Sequence, residues 1–323
     1  MNRKNKKAEG VLLIGISFLL LIGCSSATRN SQGDAWRENE YRRMSQREKQ
    51  RAVMEAESEG SKENLQTTAE GYERRGDSYL RQGHTEMAFL QYDRALRMEP
   101  NQINIRYKIG RLFLEKGLVE EGKKEFETIL KTDPDHALAY LGMGWASFKK
   151  GEFEEAEKYL QRAVELNADL WQAHHLRGFI YDHQQQFDAA ILQYRKAIAL
   201  SPNEGSLYNN LGVSFLLKGD YAEAVGSFNE ALKFEANSEK VHNNLALALC
   251  KLRRYPEAIE VFKKCGSEAS AYNNVGFAFL TEGNYQKAIE AFERSLEISP
   301  TFYLRGYENL NKAKAAQVHP SRQ

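Results

Sequence analysis

Cysteine is scarce: three in 323 residues, at Cys24, Cys250 and Cys265. At most one disulfide can therefore form in the body of the chain, between Cys250 and Cys265. Only six prolines are present, which suits helices rather than strands and turns. Charge of one sign is not in excess, with 45 Lys and Arg against 44 Asp and Glu. That balance gives no general argument for nucleic acid. No G-x-x-x-x-G-K-[ST], H-E-x-x-H or nucleophile-elbow motif occurs. His174, His175 and His183 form the one histidine cluster. His175 and His183 are eight residues apart on one helix, about 12 Å along its axis, too far to share a metal ion. The expectation is a non-enzymatic helical protein with no cofactor and no metal.

Long apolar runs are missing too. The one near the N-terminus, Val11 to Gly23, has thirteen residues. That is short for a bilayer span, and it follows a basic start, MNRKNKK. Basic flank and apolar core read as a secretory signal over residues 1–23. The signal ends in Leu21-Ile22-Gly23-Cys24, which resembles the lipobox of bacterial lipoproteins. The resemblance implies lipidation of Cys24. With Ser25 rather than aspartate next, it implies an outer-membrane lipoprotein facing the periplasm. Membrane contact would then be through the N-terminal lipid.

Residues 24–68 follow as a tether. From Ser25 to Thr68 there are eight basic and eight acidic residues and few large apolar ones. That composition buries no core.

From Ala69 the chain repeats. Gly76, Gly110, Gly144, Gly178, Gly212 and Ala246 recur every 34 residues, and Gly276 follows after 30. A second small residue lies twelve positions later: Ala88, Gly122, Ala156, Ala190, Ala224, Ala258, Ala288. This period resembles the tetratricopeptide repeat (TPR), an antiparallel helix pair. The resemblance implies an all-α fold: a right-handed TPR superhelix (α-solenoid) of seven helix-turn-helix repeats over 69–302. A capping helix and tail occupy 303–323, with Leu304, Tyr307 and Leu310 on its apolar side. Aromatics at the eleventh position (Tyr79, Phe113, Tyr181, Phe215, Phe279) should fill space between units. Gly83, Gly117, Gly151, Gly219 and Gly283 should stop the first helices. Gln185 and Arg253 replace that glycine, so those two turns are expected to need another conformation. The sixth unit is four residues short and should have a shortened second helix. Cys250 and Cys265, about 15 Å apart along the hairpin, should be free thiols.

TPR first helices line a concave face, and the fifth and sixth positions point inward. Those positions hold Asn209/Asn210, Asn243/Asn244 and Asn273/Asn274, a candidate amide ladder for the backbone of an extended segment. The ladder resembles that of the TPR region of O-linked glycosyltransferases. Val213, Leu217, Leu247, Phe277 and Leu280 lie around it. The earlier units offer Arg74, Arg81, Lys108, Arg111, Trp145, Phe148, His175 and Phe179, a basic-then-aromatic surface. The carboxylate clamp of other TPR grooves needs basic residues where this chain has Asn209, Val213, Ser270 and Asn274.

The layout of lipobox, tether, repeats and N-N-L-G/N-N-L-A motifs resembles TadD-type lipoproteins of tight-adherence (Flp) pilus assembly. That implies a scaffold for a pilus or secretion machine, with a secretin or other pilus or secretion components as partners. A type IV pilus pilotin, or a periplasmic adaptor for a protease or cell-wall enzyme, fits the same features.

Overall fold

The computed structural model describes residues 68–299 and 304–318. The leader, Cys24 and the tether up to residue 67 lie outside the described residues. Fifteen α-helices and no strand occur among those described. They are α1 Ala69–Arg81, α2 Thr85–Met98, α3 Ile103–Glu115, α4 Val119–Thr132, α5 Ala137–Lys150, α6 Phe153–Leu166, α7 Trp171–His183 and α8 Phe187–Leu200. After these come α9 Gly205–Lys218, α10 Tyr221–Phe234, α11 Glu239–Lys251, α12 Tyr255–Lys263, α13 Glu268–Thr281, α14 Tyr285–Ile298 and α15 Leu304–Val318. The all-α solenoid expected from the repeat is present, seven helix pairs and a final helix. The described chain divides within α7 into two compact units, 68–180 and 181–318.

In the first unit, three hairpins close around one recurring contact. A large side chain at the twenty-fourth repeat position lies on the glycine at the eighth. A Cβ on Gly76 would come within 2.4 Å of the Tyr92 ring, and one on Gly110 within 2.7 Å of Phe126. At Gly144 the partner is Leu160, at 2.7 Å. Tyr92, Phe126 and Leu160 are wholly buried. Between hairpins, Phe113 packs on Phe89 of α2 with ring centroids 5.3 Å apart. Tyr79, in the first repeat, meets His84 of its own turn instead, edge-on at 6.4 Å.

The second unit repeats this plan. Gly212 meets Phe228 and Gly276 meets Phe292, at 2.6 and 2.8 Å from a notional Cβ. The eleventh-position rings again pack on the preceding second helix. Phe279 lies 4.1 Å from Tyr255, and Arg195 covers Phe215 at 5.7 Å. Helix α12 has nine residues where the other second helices have fourteen, as the short sixth repeat requires. Cys250 is a buried free thiol and Cys265 a partly buried one.

Two expectations are corrected. Gln185 and Arg253 take φ of 59° and 60°, the same left-handed conformation as the five turn glycines. The cause is a shared backbone bond. In every turn the residue after this position donates its N–H five residues back, as in Gln186 to Tyr181 (2.8 Å), Arg254 to Leu249 (2.9 Å) and Asn284 to Phe279 (2.9 Å). That closure demands a left-handed residue whatever its side chain. The second correction concerns α15. Tyr307 is 51% exposed, and the buried stripe is Gly306, Leu310, Ala313 and Ala316. Small residues let α15 approach α14, and that rotates Tyr307 outward. The Leu304 side chain lies outside the described set.

One buried polar joint sits in the second unit. Asp182 is 5% exposed. Its carboxylate accepts from the Tyr194 hydroxyl at 3.0 Å, and the Ser214 hydroxyl lies 2.8 Å from both of its oxygens. Ser214 belongs to α9, so the joint ties one repeat to the next. Burial outweighs both donors and lifts the Asp182 carboxyl from 3.8 to about 6. Burial and the adjacent carboxylate push the Tyr194 hydroxyl well above its ordinary range.

Two outcomes follow. Gly212→Ala should lower stability by about 1–3 kcal/mol through overpacking. Gly226→Ala, in α10 with nothing within 4 Å of a notional Cβ, should raise it by up to about 1 kcal/mol; urea unfolding of both variants checks the contrast. Asp182 binds its proton more tightly folded than unfolded, so its contribution is full below pH 3.8 and is lost as pH rises through about 6. The loss should be on the order of 3 kcal/mol across that window, seen as a urea midpoint that falls relative to an Asp182→Asn control, which retains the pH dependence of the other groups.

Candidate protein-binding face

The first helices of successive repeats lie side by side within each compact unit. In the first unit, three of the four basic residues expected on this face are already engaged, while Arg81 is exposed and makes no ion pair among the described residues. Lys108 Nζ lies 2.7 Å from Glu73 Oε1 and 2.7 Å from Asp77 Oδ1. Tyr92 donates to the same Asp77 at 2.6 Å. Burial alone would raise the Asp77 carboxyl, but the bonds from Lys108 and Tyr92 hold it below the ordinary carboxylate range. The same carboxylates raise the Lys108 ammonium against its own burial. Lys108 is thus a joint between the first two repeats. Arg74 pairs with Glu70 at 3.1 Å and Arg111 with Glu115 at 3.4 Å, both one helical turn away. Exposed pairs of this kind are weak and exchange readily. The face is therefore mixed in charge rather than basic, because each of these three cations has an acidic neighbour that repeat spacing alone does not reveal.

The aromatic stretch is a packed row. His175 lies 4.8 Å from Phe179, and Phe148 lies 6.3 Å from Phe179 and 5.9 Å from Phe153. Trp171 stands 6.0 Å from His175. Phe179 is half-buried between neighbouring helices.

In the second unit the six asparagines do not share one environment. Asn209, Asn210 and Asn244 are buried. Asn209 donates to Asn210 at 3.2 Å and accepts from Asn244 of the next repeat at 3.0 Å. The repetition in register builds amide-to-amide bonds between first helices. Further along, Asn309 of α15 donates to Asn273 at 3.2 Å. The Cys265 thiol donates to Asn243 at 3.2 Å. Repeat spacing did not reveal Asn309, Cys265 or the Asp182 joint, since each pairs unlike positions.

Open capacity remains at the other amides. Asn243 is exposed, while Asn273 and Asn274 are half-buried. Asn243 and Asn273 use their oxygens as acceptors and keep N–H donors. Asn274 has no hydrogen-bond partner among the described residues. Beside them runs one repeat position filled by Val213, Leu247 and Phe277. The first two are half-buried and Phe277 is 42% exposed. Leu217 and Leu280 add half-buried apolar surface. Among the described residues no three His, Cys, Asp or Glu side chains cluster to hold a metal ion. The chemistry offered is amide hydrogen bonding next to apolar contact.

Comparison with known proteins agrees with the fold. A tetratricopeptide-repeat model matches residues 269–302. A family model described as Cilia and flagella-associated protein 70 C-terminal domain matches residues 32–276. No curated protein matches the chain. Among solved structures, the thermophilic TPR protein TTC0263 of Thermus thermophilus is 23% identical, with a TM-score of 0.52, covering 56% of this chain and 99% of its own. The APC/C hetero-tetramer Cut9–Hcn1 is 20% identical, with a TM-score of 0.57, covering 76% of this chain and 49% of its own. YrrB, a TPR protein with an unusual peptide-binding site, is 19% identical, with a TM-score of 0.48, covering 60% of this chain and 97% of its own. The match over 32–276 takes in more than half of the chain, which therefore belongs to the family described as Cilia and flagella-associated protein 70 C-terminal domain, a family of tetratricopeptide-repeat proteins.

Proposed function

We propose that this chain is a protein-interaction scaffold that binds an extended protein segment along the first helices of its last three repeats. One observation carries the reading. Val213, Leu247 and Phe277 recur at one repeat position and end in a phenylalanine 42% exposed. They run beside amides that keep unused donors at Asn243, Asn273 and Asn274. An amide reads peptide backbone with little demand on sequence, and the apolar row takes side chains. Buried amides such as Asn209 and Asn244 set the spacing of the helices that present this surface.

The proposal extends to place and setting. Leu21-Ile22-Gly23-Cys24 after an apolar signal core supports a lipid on Cys24 and an outer-membrane lipoprotein facing the periplasm. The tether would let the repeats reach on the order of 35 Å from that anchor. Lipobox, tether and asparagine-bearing repeats together support a part in assembling a pilus or secretion machine, as in TadD-type lipoproteins. The segment bound would then belong to a secretin or another component of that machine.

A photoreactive residue placed at 277 or 247 should cross-link a partner protein in cells, whereas one at the exposed Leu192 of α8 should not. Phe277→Ala should reduce capture by roughly ten-fold, the weight of one central apolar anchor. Equal cross-linking from 277 and 192 would remove the face from the argument. For the anchor, Cys24→Ser should leave the protein unlipidated and shift it out of the outer-membrane fraction. Unchanged fractionation would count against the lipobox.

A further inference from the structure

A second feature lies off the face just described, where the turns of the sixth and seventh repeats meet. A cleft of about 340 Å³ opens there, lined by Arg253, Tyr255, Glu282, Gly283, Asn284 and Lys287. Arg253 holds the left-handed turn position that glycine holds in five of the other turns. A side chain at such a position costs backbone energy that glycine avoids. Arg253 recovers none of it through an ion pair among the described residues, although its neighbour Arg254 is paired bidentately with Glu257 at 2.7 and 2.6 Å. Lys287 likewise makes no ion pair among the described residues. Its ammonium rests 5.7 Å from the Phe279 ring. The carboxylate of the cleft, Glu282, is held by the Tyr255 hydroxyl at 2.6 Å. Two cations and one anion thus line one concave site, leaving one positive charge without a counterpart.

We infer that this cleft binds a single carboxylate of a protein segment, between the Arg253 guanidinium and the Lys287 ammonium. A guanidinium fork fits a carboxylate with two parallel N–H bonds. One uncompensated positive charge matches a monoanion. A phosphate dianion would overfill that balance and meet Glu282. The site stands apart from the amide and apolar face, so it would add a second grip on a bound segment at the edge of the last repeats.

Saturation-transfer NMR on small peptides, with the full chain in detergent micelles, tests this. The side-chain probe is Ac-Gly-Glu-Gly-amide, the chain-end probe Ac-Gly-Gly-OH, and the neutral control Ac-Gly-Gln-Gly-amide. At least one acidic probe should show roughly ten-fold more transfer than the control, the scale of one charge-assisted bond. Which of the two does so identifies the source of the carboxylate. Arg253→Gly supplies the residue that the turn geometry favours, so the fold is kept, and the acidic probe should fall to the control level. Lys287→Ala should weaken it as well. Equal transfer to wild type and Arg253→Gly would overturn the assignment. So would acidic probes that never exceed the control, or inorganic phosphate that displaces them well below their own concentration.

Discussion

The architecture depends on one contact, a large side chain at the twenty-fourth repeat position laid on a bare glycine at the eighth, as at Gly76, Gly110, Gly144, Gly212 and Gly276; the sixth repeat carries Ala246 at that place instead. Where a Cβ would stand within 2.4–2.8 Å of that side chain, only hydrogen fits. The contact sets how closely the two helices of a hairpin approach. It also reaches the next hairpin. The Phe126 ring lies against Gly110 in its own repeat, and a Cβ on Gly142 of the following repeat would come within 2.5 Å of it. One side chain therefore fixes both the width of a repeat and its distance to the next. Burying such a ring contributes about 2–3 kcal/mol. Repeated along the array, that sum holds helices of thirteen or fourteen residues which would be marginal alone.

The turns impose a second, smaller constraint of the same kind. A bond from the residue after each turn back to the eleventh position satisfies a carbonyl that the helix end would otherwise orphan. It also brings that end directly under the eleventh-position side chain, which packs on the preceding second helix. Phe279 shows both roles. Its carbonyl accepts from Asn284, and its ring lies on Tyr255. Breaking the turn would thus loosen a contact between repeats. This is why Gln185 and Arg253 adopt a conformation their side chains disfavour rather than a different turn.

Much of this was legible in the sequence, because its causes are local and recur. Small residues at fixed places announce helices that approach closely, and a deletion of four residues announces a shorter helix. Polar partners were less legible. The cations at Arg74 and Lys108 share one repeat position, yet among the described residues Arg74 pairs within its own helix. Lys108 has Glu73 and Asp77 of the repeat before it. Those acids were present in the same periodic frame, so the joint could have been read by comparing neighbouring repeats rather than equal positions. The asparagines carry the same lesson. Asn209 pairs with Asn244, a separation of 35 residues rather than 34, because the bond runs between the fifth position of one repeat and the sixth of the next. For α15 the frame simply ends. Its contact side follows Gly306 and Ala313, whose small size lets the helix sit down on α14.

Asparagine disfavours helix interiors, so consecutive pairs carry a local cost. At Asn209, Asn210 and Asn244 amide-to-amide bonding within the array accounts for it. A buried amide that loses its partner costs about 1–3 kcal/mol, so a matched pair ties two helices to one register. It follows that the presence of asparagine is not evidence for a ligand at Asn209, Asn210 or Asn244. What bears on binding is the surface that the array leaves unused. A lone exposed apolar residue needs no explanation. Phe277 is different, since it ends a row with Val213 and Leu247 at one repeat position, and Asn274 of the same helix has no hydrogen-bond partner among the described residues. The row packs in part against the core of the second unit through Val213 and Leu247 and leaves its remaining surface, with Phe277, open beside the amides. It matches what an extended segment presents, side chains on one side and backbone polar groups along its length.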